Sequence, residues 1–151
     1  MPGRQKPNLS GLIELIANPL STYTVLYIED HPANLALVEC LIARHSKFKL
    51  LTAPDGDKGI ALAKSAQPDV ILMDINLPGI SGFDALKILS RDNATAHIPI
   101  IALSSNAFPG DIAQGIEAGF FRYLTKPYKI DDLLDVLAAA TYFSEDISKE
   151  I

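Results

Sequence analysis

Several apolar segments of this chain end in side chains that could do chemistry together. The run 70–73 stops at an aspartate, and three other runs stop at an acid pair, a serine and a lysine. The ends of parallel strands, where the backbone opens to water, carry the active sites of doubly wound α/β folds. We therefore expect these side chains to meet at one edge of a sheet. They are Glu29, Asp30, Asp74, Ser104 and Lys126.

The three carboxylates of this group would repel one another at such an edge. Unless they are compensated, at least one of them would take up a proton. A hard divalent cation relieves the repulsion. Ligands that are all oxygen favour Mg²⁺, which keeps several waters and prefers one or two carboxylates plus a phosphate. The acids Glu29, Asp30 and Asp74 are therefore candidate Mg²⁺ ligands.

The remaining two side chains complete the requirements of phosphoryl transfer. Lys126 supplies a mobile positive charge suited to a phosphoryl oxygen, and Ser104 supplies a hydroxyl donor. Little beyond charge neutralisation and positioning is needed for that reaction. An aspartate can serve as its nucleophile and form an acyl phosphate. Asp74 is the best candidate, because it is the lone acid on its loop.

Alternating strand and helix patterns position these residues. Five strands alternating with five helices imply α/β architecture, with a doubly wound, five-stranded parallel sheet covered on both faces. The continuous apolar strands fit that burial. The predicted strands are 24–28, 48–53, 69–73, 98–103 and 121–125; the predicted helices begin near residues 32 and 56 and cover 82–91, 108–118 and 130–142.

The pattern also predicts the domain limits. Residues 1–22 read as a flexible N-terminal segment or linker, in which apolar residues at helical spacing between 9 and 16 indicate a short helix. Residues 23–143 form the folded domain, and 144–151 form a polar C-terminal tail. No apolar stretch is long enough to span a bilayer.

Composition narrows the function classes. The chain has 151 residues, of which 48% are hydrophobic, and a formal net charge of −5. A net acidic domain is a poor binder of nucleic acid or of an anionic membrane, so neither is expected as a direct partner. The single cysteine, Cys40, excludes an intramolecular disulfide and fits a reducing cytoplasm. Cys40 is predicted to be a small buried side chain.

Four motifs resemble those of the bacterial response-regulator receiver (CheY-like) family. Each motif alone is weak, but the four in this order and at these intervals are specific, and the match covers about residues 24–142. The run 118–127 looks more like receivers attached to hybrid histidine kinases, so the domain is either a stand-alone regulator or part of such a kinase. The motifs are Tyr27-Ile28-Glu29-Asp30, Met73-Asp74-Ile75-Asn76-Leu77-Pro78-Gly79, Ala102-Leu103-Ser104-Ser105-Asn106-Ala107 and Tyr123-Leu124-Thr125-Lys126-Pro127.

The resemblance implies a role for each acid. Asp74 accepts phosphate from a phosphohistidine on a partner histidine kinase or histidine phosphotransfer protein. Asp30 binds Mg²⁺ directly, Glu29 supports it through water, and Asn76 lends its backbone carbonyl to the metal. The protein is then a switch with self-catalysed phosphotransfer in two-component signalling, rather than an enzyme acting on other substrates.

The resemblance also implies how the signal leaves the site. Ser104 hydrogen-bonds the phosphoryl group and swings inward, while Lys126 pairs with a phosphoryl oxygen and Pro127 follows it through a cis bond. Tyr123 matches the aromatic switch position, which changes rotamer as Ser104 moves. The fourth helix, fifth strand and fifth helix would form the signalling face and the contact of a homodimer. A local charge event thus biases a two-state element.

Other readings stay open for individual residues. Tyr123 could be an amphipathic surface aromatic, and Asn76 and Asn106 could be turn formers or caps. The pair Glu29-Asp30 could be acids at a helix N-terminus. His31, beside them, reads as an exposed loop residue rather than a ligand.

Three other functions compete with the switch. A haloacid-dehalogenase-like, metal-dependent phosphatase needs a second acid two residues after the nucleophile, where this chain has Asn76. A flavodoxin-like nucleotide binder needs a phosphate-binding loop after the first strand, where Glu29-Asp30 would repel phosphate. A receiver that serves only as a phosphorylation-independent binding module is disfavoured, because all five site residues are present.

Overall fold

Five parallel strands form one sheet in the order β2-β1-β3-β4-β5. The computed structural model describes residues 22–105 and 108–150, with side chains through residue 142. The predicted fold class is confirmed. The strands are β1 (Tyr23–Ile28), β2 (Phe48–Ala53), β3 (Val70–Asp74), β4 (Ile100–Ser104) and β5 (Arg122–Thr125); the helices are α1 (Pro32–Ala43), α2 (Gly56–Ala66), α3 (Gly82–Arg91), α4 (Pro109–Ala118) and α5 (Ile130–Glu150).

The two faces of the sheet are covered by different helices. On one face Val38 of α1 and Leu133 of α5 are fully buried against alternate residues of β1, β3 and β4. On the other face Ile60 of α2 and Leu86 of α3 pack against the intervening residues of those strands. Because β1, β3 and β4 are enclosed on both sides, most of their side chains before the strand ends are apolar. The polar groups therefore gather at the carboxyl edge.

Local sequence signals explain where several helices begin. The side chain of Asp55 accepts a hydrogen bond from the Lys58 N–H at 2.8 Å, and Ser81 accepts one from the Asp84 N–H at 3.1 Å. Both are N-caps that satisfy an otherwise unpaired backbone donor. Helices α1 and α4 instead begin with a proline, whose missing N–H costs nothing in the first turn.

Several element boundaries differ from the prediction, most of them by a single residue. Strand β4 begins at Ile100 rather than at residue 98, because the Ile98 N–H donates to the Thr95 carbonyl in a turn and Pro99 has no N–H. Strand β5 begins at Arg122 rather than at residue 121. Helix α5 continues to Glu150, past the expected end near residue 142, as the sequence there contains neither proline nor glycine.

The prediction for Cys40 was wrong, because its side chain is exposed. Helix α1 is apolar around most of its circumference. Leu37 and Cys40 face solvent, whereas Val38 and Ile42 face the sheet. With so little contrast between its sides, the sequence of α1 does not identify the inner face.

Two expectations fall outside the described residues: the short helix between residues 9 and 16, and Asn106. The domain limits stay a prediction. Among the helices that are described, none has the length and apolar character needed to cross a membrane.

Candidate functional site

The ends of β1 and β3 bring three carboxylates together. Glu29 follows β1 directly, Asp74 is the last residue of β3, and the two strands are neighbours in the sheet. One carboxylate oxygen from each of Glu29, Asp30 and Asp74 lies within 4.8 Å of the others. Glu29 and Asp74 are 1% and 6% exposed, whereas Asp30 faces solvent. The expected cluster is therefore present, with one acid open to an incoming ligand.

Lys126 places a positive charge between the two buried acids. Its Nζ lies 3.4 Å from Glu29 Oε1 and 3.5 Å from Asp74 Oδ2. The residue follows β5, and its N–H donates to the Ser104 carbonyl at 2.7 Å, which ties the ends of β4 and β5 together. The next peptide bond, to Pro127, is cis. One ammonium faces three carboxylates, so this edge of the sheet carries an excess of negative charge, which favours binding of a cation.

Glu29 is the most heavily hydrogen-bonded member of the site. Its Oε1 accepts from the Tyr27 hydroxyl at 3.0 Å and from Asn34 Nδ2 at 3.3 Å, and its Oε2 accepts from the His31 N–H at 3.1 Å. Burial alone would raise the pKa of Glu29. The His31 N–H, the Lys126 charge and the Tyr27 hydroxyl together outweigh burial and hold this pKa below its usual value. Glu29 is therefore a fixed anion.

Asp74 is in the opposite electrostatic condition. Its Oδ1 accepts the Asn76 N–H at 3.1 Å, which with Lys126 favours the charged form. Burial and the neighbouring charge of Glu29 nevertheless raise the pKa of Asp74 above the ordinary aspartate value. The two adjacent acids thus differ in pKa: the surroundings of Glu29 favour its charged form, whereas those of Asp74 disfavour it.

The loop after β3 folds back tightly beneath Asp74. The Gly82 N–H donates to the Ile75 carbonyl at 3.0 Å. A Cβ on residue 82 would lie 2.9 Å from both the Asp74 carbonyl oxygen and the Ile75 Cα, so only glycine fits. The sequence marked Gly82 only as the start of a helix, although this close approach helps to fix the Asp74 backbone.

Ser104 and Tyr123 lie on the neighbouring strands. Ser104 is the last residue of β4 and is fully buried, with Asp74 on the adjacent strand. Tyr123 is half-buried in β5, opposite Ala102, and its ring lies against Gly115 of α4. A Cβ at residue 115 would come within 2.7 Å of Tyr123 Cδ2. Glycine at this position therefore makes room for the tyrosine ring.

The other predicted site residues have plainer surroundings. The Asn76 side chain is exposed, and its backbone N–H contacts Asp74. His31 is exposed, as expected, and touches the site through its backbone N–H rather than its imidazole. Sequence reasoning missed Tyr27 and Asn34, which hold Glu29. The first motif includes Tyr27 but gives it no role, because a tyrosine in a buried strand looks like core packing.

The strand order and the acidic edge define this chain as a CheY-like α/β protein. The family model for the response regulator receiver domain matches residues 25–138, and the chain belongs to that family. It is thus a receiver domain of two-component signalling. Protein PilH of Pseudomonas aeruginosa is 35% identical over 115 residues, which are 76% of this chain and 94% of PilH.

Solved receiver structures superpose on the same part of the chain. The receiver domain of a sensor histidine kinase from Pseudomonas aeruginosa, crystallised with a magnesium ion coordinated in its active-site cleft, is 30% identical with a TM-score of 0.73. That comparison covers 81% of this chain and 99% of the other. The chemotaxis response regulator CheY4 of Vibrio cholerae is 27% identical with a TM-score of 0.73, covering 80% and 99% of the two chains.

Proposed function

We propose that this domain is a phosphoacceptor switch in which Asp74 receives a phosphoryl group from a phosphohistidine of a histidine kinase or histidine phosphotransfer protein. The observation that carries the proposal is the position of Lys126 Nζ, within 3.5 Å of both Glu29 and Asp74 at the edge where Ser104 ends the next strand. Acid, amine and hydroxyl are thereby presented to one incoming group.

The donor set at this edge fits Mg²⁺. All three clustered ligands are carboxylates, and their oxygens are close enough to share one ion. Asp30 and Asp74 would hold the metal, Glu29 would support it, and the carbonyl of Asn76 would add a neutral oxygen. Bound there, Mg²⁺ would neutralise charge on the phosphoryl oxygens.

The chain's own residues account for the rest of the transfer. An Asp74 carboxylate oxygen forms the new O–P bond while the P–N bond to the donor imidazole breaks, and its electron pair leaves with that nitrogen. The Lys126 ammonium pairs with a phosphoryl oxygen, and the Ser104 hydroxyl donates a hydrogen bond to another. No base is needed, because the nucleophile is already an anion. Transfer is therefore catalysed by the receiver itself.

The proposed output runs through Tyr123 to the surface formed by α4, β5 and α5. Movement of Ser104 toward the phosphoryl group would let the Tyr123 ring change rotamer. On this surface Phe108 and Ile116 are 71% and 46% exposed. Exposed apolar side chains at and beside α4 are ones that a protein partner, including a second copy of the chain, would cover. The free thiol of Cys40 is compatible with the reducing cytoplasm, where we place the domain.

The test is labelling with a small phosphodonor. With Mg²⁺ and acetyl phosphate, the wild-type chain should gain one phosphoryl group by intact mass, and a chelator should prevent this. Asp74→Asn should gain none, whereas the matched change at an exposed acid of α2, Asp57→Asn, should react like wild type. Equal labelling of Asp74→Asn would contradict the assignment. Sustained phosphate release from added phosphoesters would favour the phosphatase alternative instead.

A further inference from the structure

Tyr27 combines complete burial with a polar contact at the candidate site. Its side chain is 0% exposed and belongs to the core between the sheet, α1 and α5. Its hydroxyl nevertheless reaches along the same face of β1 to Glu29, two residues later, and donates to Oε1 at 3.0 Å. The ring is thus fixed by packing while its polar end touches a buried carboxylate.

The contacts of Glu29 show how much depends on that hydroxyl. A carboxylate offers about four lone-pair positions. In Glu29 the donors are unevenly distributed: Tyr27, Asn34 and Lys126 approach Oε1, whereas the His31 N–H approaches Oε2. Of the three donors to Oε1, the Tyr27 hydroxyl is the closest, at 3.0 Å against 3.3 Å and 3.4 Å. It is also the only one of the three on a strand in the core, so it is the most rigid.

The position of Oε1 in turn governs Lys126, whose Nζ is shared between this oxygen and Asp74 Oδ2. We propose that Tyr27 is a positioning residue: its hydroxyl fixes the Glu29 carboxylate, and through it the Lys126 ammonium and the geometry of the acidic cluster. This inference rests on the proposed function. It assigns to a core tyrosine the outer-shell role that orients metal-binding acids in other proteins.

The competing explanation is that Tyr27 is a core residue whose hydroxyl merely finds a convenient acceptor, as buried tyrosines usually do. The two explanations differ in what removal of one oxygen atom changes. A packing role predicts an effect on stability alone. A positioning role predicts an effect on cation binding and on the surroundings of Glu29, beyond any change in stability.

The decisive variant is Tyr27→Phe, with Tyr23→Phe as the matched control. Tyr23 lies at the other end of β1, on the same face and also buried, so the control removes a hydroxyl from the same core. Mg²⁺ affinity measured by calorimetry should fall about tenfold in Tyr27→Phe, which is the lower end of the range for loss of a residue that orients a metal ligand. It should not change in Tyr23→Phe.

A second readout follows the carboxylate itself. The amide proton of His31 donates to Glu29 Oε2, so its chemical shift and exchange rate report how firmly Glu29 is held. In metal-free Tyr27→Phe this proton should exchange faster than in wild type. If Tyr27→Phe does not fold, Asn34→Ala removes another side-chain donor to Oε1. It should likewise weaken Mg²⁺ binding and speed exchange of the His31 amide proton.

Unchanged Mg²⁺ affinity and an unchanged His31 amide in folded Tyr27→Phe would overturn the inference. Equal losses in Tyr27→Phe and Tyr23→Phe would do the same, because the effect would then belong to the core. The proposed function is tested separately by Asp30→Asn. If Asp30→Asn binds Mg²⁺ like wild type, the cation site itself is wrong, whatever the result at Tyr27.

Discussion

The contact between Gly115 and Tyr123 gives the sharpest test of how the aromatic ring is held. In Gly115→Ala the new Cβ would lie 2.7 Å from Tyr123 Cδ2 and 2.9 Å from Cε2. Carbon atoms in favourable contact are about 3.5–4.0 Å apart, so the ring edge must retreat by roughly 0.8 Å or more. The ring is half-buried and can turn toward solvent, which the surrounding helix backbone cannot do.

Two opposing free-energy changes set the magnitude. Replacing glycine by alanine inside a helix stabilises the fold by about 0.5–1 kcal/mol. Forcing extra carbon into a packed contact destabilises it by about 1–3 kcal/mol if the ring stays in place. Because the ring can move away, we expect the free energy of unfolding of Gly115→Ala to lie within about 1 kcal/mol of the wild-type value, with Tyr123 turned outward.

The assay is NMR of the Tyr123 ring, together with urea unfolding. Nuclear Overhauser contacts between this ring and residue 115 should weaken in Gly115→Ala. Gly110→Ala, in the same helix, is the matched control, since a Cβ there would meet nothing within 4 Å among the described residues. If the ring contacts are unchanged, and the gain in stability equals that of Gly110→Ala, then the ring does not depend on glycine and the reasoning fails.

Three further changes have expected signs. In metal-free protein at neutral pH, Asp74→Asn should be more stable than wild type, because the raised pKa of Asp74 means that its ionised form destabilises the fold. The stability that protonated Asp74 contributes is lost as pH rises through that pKa. The advantage of Asp74→Asn should therefore shrink in acid, as measured by urea unfolding across pH. Gly82→Ala should lower the free energy of unfolding by about 1–3 kcal/mol, because its Cβ would meet backbone atoms of Asp74 and Ile75 that cannot turn away; an unchanged urea midpoint would contradict this. Lys47→Met should raise the thermal midpoint, since Lys47 is 9% exposed and its Nζ has no hydrogen-bond partner among the described residues, a deficit worth about 1–3 kcal/mol; a lower midpoint would show that the ammonium is needed.

The carboxyl edge could be predicted from the sequence because its signals are local. Apolar runs that end in Glu29, Asp74 and Ser104 indicate buried strands with polar ends, and the structure brings these ends together. That pattern does not show which acid has a lowered pKa and which has a raised one. The difference depends on charges such as that of Lys126, which follows β5.

The contacts that fix side-chain position were beyond sequence reasoning for a physical reason. Tyr27 and Tyr123 look alike in the chain, as aromatic residues in apolar strands. One hydroxyl meets a carboxylate on its own strand, while the other ring needs the missing side chain of Gly115 on a helix. Such pairings are set by how elements pack. The prediction of which α1 residues are buried fails for a similar reason, because Cys40 and Val38 are both apolar.

The exposed thiol of Cys40 makes α1 an attachment point for a spectroscopic probe. It is the only cysteine in the sequence, so a thiol-reactive dye would label a single position without mutagenesis. Asn34, which touches Glu29, lies in the first turns of the same helix, and six residues of helix span about 9 Å. A fluorophore there would therefore report events at the carboxyl edge in the native sequence, within range of a paramagnetic ion substituted for magnesium.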